Sequence, residues 1–110
     1  MSAIAQIKEA ISHRKPIKFE YLKEGKVRGW RFGNPHIAFA GKTQEGDERT
    51  YVHIVQTDGV SDTLVNFPDW RMFIVELIGN VEVMHDEPEF ALHDGYNPAA
   101  AMYSRTIARV

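Results

Sequence analysis

The stretch Trp70-Arg71-Met72-Phe73-Ile74-Val75-Glu76-Leu77-Ile78-Gly79-Asn80-Val81-Glu82-Val83-Met84 constrains the fold most, because it holds the longest nearly uncharged apolar run. Its first half is rich in β-branched and aromatic residues, Gly79-Asn80 follows, and Val81-Glu82-Val83 then alternates. That order predicts two strands joined by a tight turn, so the chain must build a sheet. Arg71 interrupts the run with the parity of Phe73 and Val75, which points all three to one face of a strand. If that face is the core, the guanidinium needs a partner or an opening. Arg71 is therefore the first candidate site residue.

The flanking sequence supplies more strands. Ser2 caps a helix expected to run to about His13, with Ile4, Ile7 and Ile11 on one stripe and Pro16 ending it. Ile17-Lys18-Phe19-Glu20-Tyr21 alternates and predicts a strand with Ile17, Phe19 and Tyr21 inward. Gly25 predicts a hairpin turn within Lys23–Lys26, and residues 27–32 return as a strand with Trp30 and Phe32 in the core and Arg31 opposite. On that face, replacement of Arg31 by Ala is expected to be nearly neutral for folding. Gly33-Asn34-Pro35 breaks the strand. Residues 36–40 and 50–56 give two more strands, separated by the polar loop 41–49; Val52 and Ile54 share one face of the second, with Tyr51, His53 and Val55 on the other. Residues 60–69 read as a loose connection. Asn97 and Pro98 open a short C-terminal helix. Several short strands with Gly and Pro punctuation predict a mainly β fold, a small barrel or strongly bent sheet, over residues 1–94, with 95–110 as a tail. Phe32, Phe39 and Phe73 join Trp30 as expected core, and Trp70 is the aromatic expected at the surface.

Composition narrows the function classes. A chain of 110 residues is one domain of ordinary size. It has no cysteine, which excludes disulfides, thiolate metal sites and a nucleophilic thiol. No basic stretch followed by an apolar core marks a signal peptide, and no apolar run approaches the roughly 18–20 residues of a membrane span. A cytoplasmic protein without membrane contact is expected. Residues 1–31 hold eight of the 13 Lys and Arg but only Glu9, Glu20 and Glu24 as acids. A basic first third suits an anion such as phosphate or nucleic acid, and internal neutralisation by the acidic remainder is the competing reading. His36, His53, His85 and His93 lie among Asp86, Glu87, Glu89 and Asp94, yet no H-E-x-x-H or H-x-H spacing is present. No metal or other cofactor is expected. Gly41-Lys42-Thr43 looks like the end of a phosphate-binding loop, but His36 stands where that loop's first Gly belongs. No G-x-S-x-G or other catalytic motif is present, so no catalytic residue is assigned and no enzyme is expected.

In their order these residues resemble a WYL domain. The likeness is carried by the amphipathic helix, the Ile17-x-Phe19-x-Tyr21 strand, Arg31-x-x-x-Pro35, the strand around Tyr51, Arg71-x-Phe73, and Ile78 leading to a final strand and Phe90. It covers roughly residues 4–92. Of the tripeptide that names the family only Tyr51 is kept, and Leu77 stands where the family carries an arginine before Ile78. The resemblance implies an SH3-like, Sm-like barrel. It also implies a sensor or regulatory module, in a transcription-regulation or defence context, that binds nucleic acid or nucleotide-like ligands through arginines and the tyrosine. WYL domains usually follow a winged helix; this sequence presents none, so a solitary module is expected.

Arg31, Tyr51, His53 and Arg71 form the expected ligand site, assisted by Lys18 or Arg28. Arginine offers a planar bidentate fork to phosphate or carboxylate, and tyrosine offers a base a stacking face. The competing reading pairs Arg31 and Arg71 with Glu76, Glu82 or Asp69 inside the fold. A second function class is a protein-interaction or homo-oligomerisation module. It would act through barrel edge strands or through the Asn97–Val110 tail, whose Met102, Tyr103, Ile107 and Val110 are apolar for a terminus.

Overall fold

Local sequence sets the first two elements. The computed structural model describes residues 2–64 and 66–110; Val65, within the expected 60–69 connection, lies outside them. Helix α1 spans Ala3–His13, and Ser2 Oγ accepts the Ala5 N–H at 3.3 Å. Arg14 ends it in the left-handed conformation at φ 52°, and Pro16 keeps the chain extended into strand β1, Ile17–Tyr21. Alternation in β1 places Ile17, Phe19 and Tyr21 inward, as expected.

The next strands are β2 (Trp30–Lys42), β3 (Glu48–Gly59), β4 (Asp69–Ile74) and β5 (Ile78–Val83); β6 (Thr106–Arg109) closes the chain. The described residues form one six-stranded antiparallel sheet in the order β4-β3-β2-β1-β5, with β6 beside β2. The fold is mainly β with one helix. β4 and β5, the ends of that path, do not pair with each other among the described residues. No helix among the described residues is long and apolar enough to cross a membrane.

Three strand expectations are corrected. The Gly33-Asn34-Pro35 break does not end a strand; β2 runs through it, with irregularities between Phe32 and Gly33 and between Pro35 and Ile37. Gly33 is needed there because a Cβ would lie 2.5 Å from Ile54 Cγ2 and 2.7 Å from the Val55 carbonyl oxygen. Second, the chain turns after β4 at a 3-10 turn over Val75–Leu77, where the Leu22 N–H reaches the Leu77 carbonyl at 2.7 Å. Gly79-Asn80 instead marks a bulge inside β5, with Asn80 at φ 53° and its side chain on Glu20 Oε2 at 2.6 Å. Third, Trp30 is 39% exposed and Phe32 half-buried, whereas Arg31 is 1% exposed. Arg31 pairs in register with Phe19, so the two side chains share the inner face.

One core lies between α1 and the inner face of the sheet, built on Ile7, Ile11, Phe19, Val52, Ile54 and Phe73. A second cluster lies on the other face of β2 and β3, where Ile37, Phe39 and Tyr103 pack with Tyr51, Tyr96 and Ala100. Both faces of this ribbon are thus covered, which is why Pro35 to Phe39 are all buried instead of alternating. The second cover is the C-terminal segment. It is not a free tail: a 3-10 turn at Ala101–Tyr103 stands near the expected short helix, and β6 then pairs with β2.

Candidate functional site

The two expected site arginines meet at one loop. In β4, Arg71 pairs in register with Ile54 and so lies on the core face. Its Nη2 donates to Ser61 Oγ at 2.7 Å and Thr63 Oγ1 at 3.1 Å, and its Nε lies 3.6 Å from Asp69 Oδ2. Arg31 reaches the same loop from β2 and donates to Asp62 Oδ2 at 3.1 Å. The guanidinium sits 5.6 Å from the Phe73 ring centre and 6.0 Å from that of Tyr21. Asp62 Oδ1 also accepts the Val27 N–H at 2.6 Å. That backbone bond, followed by Arg31, holds the Asp62 carboxyl below its usual range. Gln56, fully buried, donates to the Asp58 and Val60 carbonyls at 3.1 and 2.9 Å. Three core-face side chains therefore hold the segment 58–63.

These side chains carry unused polar capacity. Arg31 Nε, Gln56 Oε1 and Arg71 Nε are buried without a hydrogen-bond partner among the described residues. A buried unmade hydrogen bond costs about 1–3 kcal/mol. Three at one end of a small domain mark a place where the described residues leave polar capacity unfilled.

The remaining expected site residues lie elsewhere. Tyr51 and His53 point to the opposite face of β3, away from the arginines. Tyr51 stacks on Phe39 with ring centres 5.7 Å apart, and His53 Nδ1 lies 2.5 Å from the Tyr103 hydroxyl. Burial lowers the His53 pKa and raises that of Tyr103. Lys18 lies 4.3 Å above the Trp30 ring centre and 4.0 Å from Glu82. It lines an open groove of about 490 Å³ with Phe32, Glu82, Met84, Asp86 and Glu87. That acidic wall repels an anion. Arg28 is exposed in the connection between β1 and β2, one residue from the Val27 amide that Asp62 accepts. The expected constellation thus splits: Arg31, Arg71 and Arg28 belong to the loop end, Tyr51 and His53 to the second cluster, and Lys18 to neither. No protein-family model matches this chain, and no curated protein matches it at significant similarity.

Sequence reasoning missed Asp62, Ser61 and Thr63, because residues 57–69 carry no periodic pattern, and it missed Gln56, a polar residue whose parity with Val52 and Ile54 places it on the core face of β3. The one signal for Asp62 is that it is an acid in the polar connection between β3 and β4, both core strands, and a core-facing Arg31 requires a partner. Of the expected partners, Asp69 does approach Arg71, while Arg31 takes Asp62 in place of Glu76, Glu82 or Asp69. Among the described residues no group of three or more His, Asp or Glu is arranged to hold a metal ion.

Proposed function

We propose that this chain is a non-enzymatic binding module for an anionic ligand, a nucleotide or single-stranded nucleic acid, in a regulatory setting. The observation that carries the reading is the convergence of Arg31 and Arg71 on one loop, each with a buried Nε–H that has no hydrogen-bond partner among the described residues. Guanidinium groups held this way favour phosphate and carboxylate over neutral ligands. Arg28 and Lys26 add positive charge beside the Val27 amide. Binding of AMP or oligothymidylate, followed by calorimetry at low and high salt, tests this. Binding should weaken as salt rises and be lost in Arg71→Ala. Absence of binding to a panel of nucleotides and oligonucleotides at low salt overturns it.

We also read the sheet as an SH3-like, Sm-like barrel. A four-strand meander with β5 returning to β1, the short 3-10 turn between β4 and β5, and a helix packed across the sheet support this reading. The kinship to WYL domains rests on motif order alone. A second function, homo-oligomer assembly, is favoured by the outer edge of β4, which has no partner strand among the described residues. Sedimentation of the whole chain separates the two: a strict monomer removes the assembly reading.

A further inference from the structure

The segment Val60–Leu64 lies across the place where Arg31, Gln56 and Arg71 end, and Asp62 is the one acid in it. Asp62 uses nothing of itself there except two acceptor oxygens and a negative charge: Oδ1 on the Val27 N–H at 2.6 Å, Oδ2 on Arg31 at 3.1 Å. A backbone N–H and a guanidinium closing on one small anion is how proteins hold phosphate and carboxylate groups. None of the five residues of the segment is buried, so the segment contributes little apolar surface to its own hold. Its remaining ties to side chains, the Ser61 and Thr63 hydroxyls and the Val60 carbonyl, run to Arg71 and Gln56, the same residues that border the site, and one backbone bond, from the Val60 N–H to the Trp30 carbonyl at 3.1 Å, anchors its first residue. Meanwhile two guanidinium Nε–H donors have no hydrogen-bond partner among the described residues, although that of Arg71 lies 3.6 Å from Asp69 Oδ2. A carboxylate brings two oxygens; a phosphate monoester brings three that accept strongly.

We infer that Asp62 is the built-in occupant of an anion site, and that a ligand with a terminal phosphate displaces it and frees the Val60–Leu64 segment. This rests on the ligand-binding reading above and adds the occupant and the ligand class. The phosphate is terminal because Arg31 is 1% exposed. Only a group that can enter end-on, as the Asp62 side chain does, reaches its inner nitrogens; a phosphodiester inside a strand carries its chain on both sides. Displacement leaves Arg31, Arg71 and the Val27 amide as donors, with Arg28 and Lys26 at the rim.

The test compares wild type with Asp62→Asn, which keeps an oxygen for the Val27 N–H and removes the charge. Calorimetric probes are AMP, inorganic phosphate, and an oligothymidylate with a 5′-phosphate or a 5′-hydroxyl. Asp62→Asn should bind AMP about tenfold more tightly than wild type, since the competing closed state loses its anion. The 5′-phosphorylated oligonucleotide should bind better than its 5′-hydroxyl form. Equal or weaker AMP binding by Asp62→Asn, where wild type binds, overturns the inference and leaves the ligand-binding reading standing. Equal binding of the two oligonucleotides overturns the terminal-phosphate assignment. No binding of any probe to either protein, both folded by circular dichroism, overturns the inference and the reading together. Should Asp62→Asn fail to fold, amide NMR of wild type decides: saturating AMP should shift the Val27 and Asp62 resonances together, and unmoved resonances overturn the inference.

Discussion

The two faces of the β2–β3 ribbon hold their covering segments by different physics. On the core face, at the loop end, two arginines and a glutamine reach out to the segment 58–63 and hold it through polar contacts. On the opposite face, rings hold the C-terminal segment. Phe39 meets the Tyr103 ring edge-on at 5.0 Å, and Trp70 meets His36 and His93, each at 5.0 Å. His36 Nδ1 donates to the Asn34 carbonyl at 2.8 Å, so its Nε2 keeps a lone pair and accepts the His93 N–H at 3.1 Å. The His36 carbonyl in turn accepts the Val110 N–H at 2.9 Å. Charge can be exchanged for the charge of a ligand; shape and burial cannot. On the proposed reading, the loop end is where a ligand intervenes, while the aromatic face holds its cover by burial.

The largest expected effect belongs to the aromatic face. Phe39→Ala should cost about 3–5 kcal/mol, because the ring is buried between Tyr51, His53 and Tyr103. Hydrogen exchange should show residues 96–110 losing protection first. A urea midpoint close to wild type would remove the distinction between the faces. Arg31→Ala comes next, at about 3 kcal/mol, from the cavity and the broken ion pair. This reverses the near-neutral outcome expected from the sequence, and a melt unchanged by the substitution would restore it.

A pH series sharpens the contrast without any substitution. Burial lowers the pKa of His36, aided by nearby His93 and Arg14, and burial also lowers that of His53. The folded protein thus takes up these protons less readily than the unfolded chain. Their neutral forms support stability above the ordinary histidine value of about 6.5, and that support is lost as pH falls below it toward the lowered folded values. Denaturant midpoints should fall from pH 7.5 to pH 5, and His53→Asn should shallow the fall. A flat profile in wild type would contradict both neutral histidines.

Smaller effects follow. Tyr103→Phe removes the hydroxyl bonded to His53 and should cost about 1 kcal/mol by urea titration. Arg71→Ala should cost no more than about 1 kcal/mol, since its partners are half-exposed hydroxyls and a carboxylate that water can serve instead. A cost equal to that of Arg31→Ala would make the two arginines one structural unit and weaken the case for a site.

Much of the fold was legible because the signals are local. The Ser2 cap, the Ile7 and Ile11 stripe, and the alternation of Ile17, Phe19 and Tyr21 each depend on residues within a turn or a strand of one another. Arg71 was legible as a core-face arginine for the same reason: parity with Phe73 is a property of one strand. Parity also separated Arg31 from Trp30 and Phe32, but it cannot say which side faces in. Counting rings chose wrongly, because the choice belongs to the pairing of Arg31 with Phe19 and to the bulges that follow in β2.

What the sequence alone determined, then, is a mainly β chain behind one capped helix and the presence of one arginine, Arg71, at odds with an apolar strand. Tertiary structure decided the rest. It set Asp62 against Arg31 across 31 positions, joined β6 to β2, and buried both faces of β2. The physical reason is range. Caps, turns and strand parity are fixed by covalent neighbours, whereas register, ion-pair choice and the cover of a second face are set by contacts that exist only after distant segments meet.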